Sequence, residues 1–140
     1  MQSILVAVDG SPSSLKGVKE AARIAKALGA RVELAYVLPP ILLAESAYAD
    51  TIKKIDAGNR AEAQDIFTRA KAEAAEFGVP TEGVMLNGAA AESLADLAAA
   101  DRFWGVVIGA RGHSAVSRVL LGSVTDRLVH ICTKPVLVVR

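Results

Sequence analysis

The residues with the clearest chemical use are Gly109, Gly112, Gly122 and Ser123, spaced as G-x2-G-x9-G-S behind the apolar run Val106-Val107-Ile108. A buried strand, a glycine-punctuated loop and a helix start make, in that order, a place to hold an anion. Glycine lets backbone approach a ligand without Cβ interference, and a helix N-terminus offers N–H groups and a partial positive charge. Arg111 and Arg118 lie inside the pattern as candidate phosphate partners, since guanidinium is a planar donor fork, and no acid falls between Gly109 and Thr125. The structural alternative stands beside each residue: glycines can serve only a turn, an arginine can be merely solvated, and Ser123 with Asp126 resembles a capping box.

Asp9 is the second chemical element, because it directly follows the apolar run Ile4 to Val8. A carboxylate there can accept from ribose hydroxyls or meet a phosphate-bound magnesium, or it can simply cap the next helix with Ser11. His113 beside Ser114 is not a nucleophile pair, since adjacent side chains rarely meet and no G-x-S-x-G elbow is present. His130, Glu62, Glu73 and Glu92 read as surface groups on helix exteriors. Neither G-x4-G-K-[ST] nor G-x-G-x-x-G after the first strand occurs, so a single nucleotide is the better reading than a P-loop or dinucleotide ligand.

These residues need a scaffold, and hydropathy patterning supplies one. Apolar runs at Ile4–Val8, Arg31–Val37, Val84–Leu86, Trp104–Ile108 and Pro135–Val139 read as five strands. Ser11 as N-cap and Pro12 at the first helical position open a helix whose stripe is Leu15, Val18, Ala22 and Ala25 and which Gly29 closes. Residues 41–57 show no clean period and read as loop with some helix, whereas Gly58 to Phe77 carries Ala63, Phe67, Ala70, Ala74 and Phe77 on one face. Ala89 to Ala100 is a third helix, and Val124, Leu128, Ile131 and Cys132 form the buried stripe of a fourth. Strict alternation of strand and helix predicts an α/β single domain: an open parallel sheet with helices on both faces and its ligand site beyond the strands' carboxyl ends, where strand order reverses.

Composition narrows the function classes. The chain has 140 residues, 52% hydrophobic and only 4% aromatic, which fits one aliphatic, alanine-rich core. A net charge of +1 argues against nucleic acid as a partner, and no apolar run approaches the ~20 residues of a membrane span. The N-terminus lacks a basic n-region, the lone Cys132 has no internal disulfide partner, and no zinc-type spacing occurs, so a cytoplasmic location with no protein-held metal is expected.

Through ILVAVDGSPSS, VVIGARGHSAVSRVLLGSVTDRLV and the terminal KPVLVV, the chain resembles the universal stress protein family over essentially its whole length. The glycine spacing resembles the branch that binds ATP. The resemblance implies a Rossmann-like five-stranded sheet of order 3-2-1-4-5 and a homodimer formed through the last strand. It also implies a nucleotide-dependent role in stress survival, through an unknown regulatory partner, rather than fast catalysis; slow ATP hydrolysis and an unused site in a structural dimer are the alternatives. By resemblance Asp9 is the ribose-side acid, Val37 offers its backbone to adenine, and Gly109, Arg111, Gly112, His113, Gly122, Ser123 and Val124 form the phosphate and ribose loop, with Mg2+ a possible companion of ATP. The flanking residues Ala7, Val8, Ile108 and Thr125 complete the candidate ligand site, and no catalytic residue is assigned. Physically, Pro135–Val139 is an apolar edge strand without a protecting charge, which suits pairing with a second copy. One departure from the family pattern is Arg102-Phe103-Trp104-Gly105, in place of a small-then-acidic lead into the fourth strand.

Overall fold

The computed structural model describes residues 1–42, 49–112 and 120–140. Nine elements alternate: β1 (Ser3–Ala7), α1 (Pro12–Leu28), β2 (Arg31–Val37), α2 (Ala49–Ala75), β3 (Thr81–Leu86), α3 (Ala90–Ala98), β4 (Phe103–Gly109), α4 (Ser123–Ile131) and β5 (Val136–Val139). All sheet pairings are parallel, as the alternation of elements predicts, and the strand order is β3-β2-β1-β4-β5, as the family resemblance implies. Central strands buried on both faces explain why β1 and β4 are continuous apolar runs without alternation. One face of the sheet packs Ile4, Val6 and Val107 against α1 and α2; the other packs Leu5, Val106 and Ile108 against α3 and α4.

Helix boundaries follow local chemistry where that chemistry is distinctive. The Ser11 side chain accepts the Ser14 N–H, Pro12 occupies the first turn, and Gly29 adopts φ 66° to end α1. The helix expected within residues 41–57 is continuous with the one expected from Gly58, so that α2 begins at Ala49. Its leading turns, with Ile52 40% and Ile55 36% exposed, pack no apolar stripe onto the sheet, so there is no period to detect. Likewise β3 begins at Thr81 and contains Gly83 in its interior, because a Cβ there would stand 2.8 Å from the Phe67 ring that covers the strand. In α4 the buried residues are Thr125 and Leu128; Val124 is 37% exposed and Cys132 lies beyond the helix, which corrects the expected stripe.

The unusual Arg102–Gly105 segment has a packing explanation. The Arg102 guanidinium grips the Glu33 carboxylate through Nε at 3.0 Å and Nη2 at 3.1 Å while lying 4.4 Å from the centre of the Phe103 ring. The Ser3 hydroxyl also donates to Glu33, at 2.9 Å, so β1, β2 and the approach to β4 are tied together at the end of the sheet opposite the glycine loop. Gly105 is required where it stands, since a Cβ would come within 2.6 Å of the Pro135 carbonyl oxygen. Behind it, the Lys134 ammonium donates to the carbonyls of Ala100 and Phe103 at 3.1 and 2.8 Å, closing the turn after α3.

Two outcomes follow from these contacts. Gly105→Ala should lower stability by about 1–3 kcal/mol through overpacking against β5, measured by urea denaturation, with Ala99→Gly as an exposed small-residue control. The Arg102 hydrogen bond holds the Glu33 carboxyl below its usual range, opposed by burial and aided by Ser3 and by the charges of Arg102 and Arg31. A depressed folded-state value means that this stabilisation is complete above the unfolded value of 4.5 and is lost as pH falls through the lower folded one. Melting temperatures taken from pH 7 down to pH 3 should therefore fall less steeply for Glu33→Gln than for the parent; parallel curves would remove Glu33 from the acid response.

Candidate functional site

The carboxyl ends of β1 and β4 are neighbours, and the chain leaves them in opposite directions to reach α1 and α4. The crevice that opens there is a cavity of about 430 Å3, within the range of small-ligand sites. Of the residues expected from sequence, Ala7, Val8, Asp9 and Val37 line it from β1 and β2. Ile108, Gly109, Arg111 and Gly112 line it from the end of β4, and Gly122, Ser123, Val124 and Thr125 from the start of α4. His113, Arg118 and the neighbouring Ser114 fall outside the described residues.

The glycines have unequal roles. A Cβ on Gly109 would stand 2.5 Å from Ser13 Oγ and 2.8 Å from the Ser13 carbonyl carbon, so this glycine is set by the close approach of α1, not by a ligand. A Cβ on Gly112 would meet Asp9 Oδ2 at 2.8 Å, which places the loop against the carboxylate. At Gly122 a Cβ would stand 3.4 to 3.6 Å from the backbone of Gly112, Arg111 and Ala110, in ordinary contact with the loop base and without a clash. Gly122, rather than Ser123, is the N-cap of α4 and supplies no capping side chain, so the Ser123–Asp126 box weighed as the structural alternative does not form; Asp126 N–H instead donates to the Gly122 carbonyl at 2.9 Å.

Consequently the first-turn N–H groups of Ser123, Val124 and Thr125 have no partner among the described residues. Their position is fixed by two short bonds that close the loop at its base: Gly122 N–H to the Ala110 carbonyl and the Thr125 hydroxyl to the Gly109 carbonyl, each 2.7 Å. Ala110 N–H continues the chain of bonds to the Val139 carbonyl at 2.7 Å, and Arg111 N–H reaches Ser13 Oγ at 3.4 Å. The Thr125 hydroxyl is thus committed to the scaffold, although the residue lines the cavity.

Asp9 makes a local turn contact and also borders the cavity: its Oδ1 accepts the Ser11 N–H at 2.8 Å. The ladder between β1 and β2 ends at the Ala7–Ala35 pair and the Val8 N–H to Ala35 carbonyl bond, so the Val37 main chain continues past it toward the crevice. Seven lining residues escaped the sequence reading. Ala90 and Leu94 of α3, with Ala35, form an apolar wall; Leu120 and Leu121 approach from the end of the loop; Ser14 and Tyr36 complete the lining, although the Tyr36 ring packs with the core on the α1 and α2 face of the sheet. Burial, then the charges of Glu62 and Asp9, push the Tyr36 hydroxyl up, so it remains a neutral donor. Only the fold brings α3 to this place, whereas Leu120 and Leu121 lay inside the x9 spacing and were legible as part of it. Among the described residues no group of three His, Cys, Asp or Glu converges to hold a metal.

The cavity therefore joins Arg111 and the main-chain amides of the α4 start to an apolar wall of Ala35, Ala90 and Leu94, an arrangement suited to an anionic group joined to a flat apolar one. Comparison with known proteins places it in context. The universal stress protein family profile matches residues 1–140. The Universal stress protein MJ0531 of Methanocaldococcus jannaschii is 32% identical, over 99% of this chain and 82% of the relative. The fold superimposes on the universal stress protein UspA from Lactobacillus plantarum with a TM-score of 0.88 at 24% identity, covering 99% of this chain and 97% of that one. A universal stress protein solved in complex with cAMP is 28% identical, with a TM-score of 0.74 over 99% of this chain and 96% of the other. By the full-length profile match and the 32% identity to the Methanocaldococcus jannaschii relative, the chain belongs to the universal stress protein family.

Proposed function

We propose that this protein binds an adenine nucleotide, ATP in particular, in the crevice beyond β1 and β4, and acts as a nucleotide-dependent regulator in a stress response. The observation that carries the reading is the α4 first turn, with main-chain donors at Ser123, Val124 and Thr125 presented beside Arg111 at the mouth of a 430 Å3 cavity. These groups would take the phosphates. Ala35, Val37, Ala90 and Leu94 would enclose the base, with the Val37 main chain as its hydrogen-bonding edge. Asp9, the one carboxylate among the described lining residues, would meet the ribose or a magnesium ion carried in by the triphosphate. The cAMP complex of a 28% identical relative supports the adenine nucleotide as ligand class.

Occupancy rather than turnover is the functional output. Asp9 already accepts the Ser11 N–H, which makes it a poor general base. A bound triphosphate would bias the surface between Gly112 and Gly122 that regulatory partners meet. The reading extends to a cytoplasmic homodimer paired through β5: the strand ends the sheet, its four residues Val136–Val139 are all half-buried and apolar, and a second copy about a two-fold axis would complete its hydrogen bonding.

Gly122→Val is the decisive variant, since its backbone, φ −60° and ψ 155°, accepts a β-branched residue and no protein atom lies closer than 3.4 Å to the new Cβ. Titration calorimetry should show ATP binding to the parent and at least tenfold weaker binding to the variant, with an unchanged far-ultraviolet spectrum. Equal affinity in the two proteins would take the α4 cradle out of nucleotide recognition. Gly109→Val is the wrong probe, because it strikes the Ser13 backbone.

A further inference from the structure

Ser14 is a cavity-lining residue that the glycine motif does not contain and that the crevice nevertheless buries. It stands in the first turn of α1, is only 3% exposed, and lines the same cavity as Asp9 and Arg111. Its main-chain N–H is given to the Ser11 side chain at 3.2 Å, and its hydroxyl oxygen accepts the Asp9 N–H at 3.1 Å. A hydroxyl carries one donor proton besides its two acceptor lone pairs. Among the described residues no acceptor takes that proton: the Ser14 hydroxyl is bonded only as an acceptor. A buried donor without an acceptor is unfavourable, so such a group in a ligand-sized cavity is poised for an oxygen brought in from outside.

We propose that Ser14 is a ligand-binding residue of the site, donating its hydroxyl proton to an oxygen of the bound nucleotide. The proposal rests on the nucleotide reading and adds to it a specific contact from α1, an element the loop motif leaves out. The chemistry required of the ligand atom is that of a hydrogen-bond acceptor oxygen, which a ribose hydroxyl and a phosphate both supply. The Asp9 N–H occupies one lone pair of the Ser14 hydroxyl and so restricts the directions left to its O–H bond. Neighbouring Ser13 is placed differently: its oxygen accepts the Arg111 N–H and packs on Gly109, which makes it part of the wall.

Ser14→Ala tests this, with Ser11→Ala as control. Ser11 is equally buried at 3% exposure and belongs to the same turn, but it does not line the cavity. Calorimetric titrations of the parent and both variants with ATP, AMP and adenosine should show Ser14→Ala weakened about tenfold toward at least one ligand, the loss of one hydrogen bond to a charged or polar oxygen. Ser11→Ala should keep the parent affinity despite a lowered melting temperature. A loss confined to ATP and AMP assigns the contact to phosphate, and a loss that persists with adenosine assigns it to the sugar. Parent-like affinity of Ser14→Ala for all three, or an equal loss in Ser11→Ala, overturns the proposal and leaves Ser14 a structural hydroxyl. Absence of binding by the parent protein itself would instead overturn the nucleotide reading.

Discussion

The structure depends on the junction between the end of β4 and the start of α4. Two 2.7 Å hydrogen bonds, Thr125 hydroxyl to Gly109 carbonyl and Gly122 N–H to Ala110 carbonyl, bring together residues 12 to 16 positions apart. Closing a loop of this size costs entropy that grows only slowly with length, so short bonds at its base can fix the two ends whatever lies between them. That constraint determines the direction of the α4 axis, and hence where its first-turn donors point. It also places Gly112 against Asp9, so that the donors and the carboxylate share one crevice.

The remaining architecture keeps this junction in place. β4 is clamped between β1 and β5, with Val106, Val107 and Phe103 almost wholly inaccessible to water. At the opposite end of the strands, Arg102, Glu33 and Ser3 tie β1 and β2 to the approach to β4. The carboxyl ends are left to other elements: Ser13 of α1 packs on Gly109 and accepts from Arg111, while α3 presents Ala90 and Leu94 across the crevice. Charge at the site is local. In a chain of net charge +1, Arg111 and the α4 terminus make up the positive end of the cavity.

Much of this was legible in the sequence, for reasons that differ by element. The strands and their parallel pairing are visible because β1 and β4 are buried on both faces and so read as unbroken apolar runs that alternate with helices, whereas the order 3-2-1-4-5 came from the family resemblance and not from the pattern. α1 announces itself through Ser11, Pro12 and Gly29, each with a distinct backbone preference. The start of α2 was blurred because its leading turns pack no apolar face onto the sheet, and Gly58 within them imitates a helix start. At the site, residues contiguous with the glycine spacing were found by that spacing, whereas Ser14, Tyr36, Ala90 and Leu94 arrive from elements distant in sequence. Thr125 was placed at the site but in a different capacity, since a hydroxyl bonded to Gly109 belongs to the support of the cradle. Gly109 was placed there too, but its missing side chain answers to α1.

The central claim is that main-chain donors of the α4 first turn hold the anionic part of a nucleotide. Amide hydrogen exchange followed residue by residue, with and without saturating ATP, tests it most directly. Protection concentrated at Ser123, Val124 and Thr125, the amides without partners in the described structure, is the expected result. Unchanged exchange at these three positions under saturating ATP would contradict it, wherever else in the protein protection then developed.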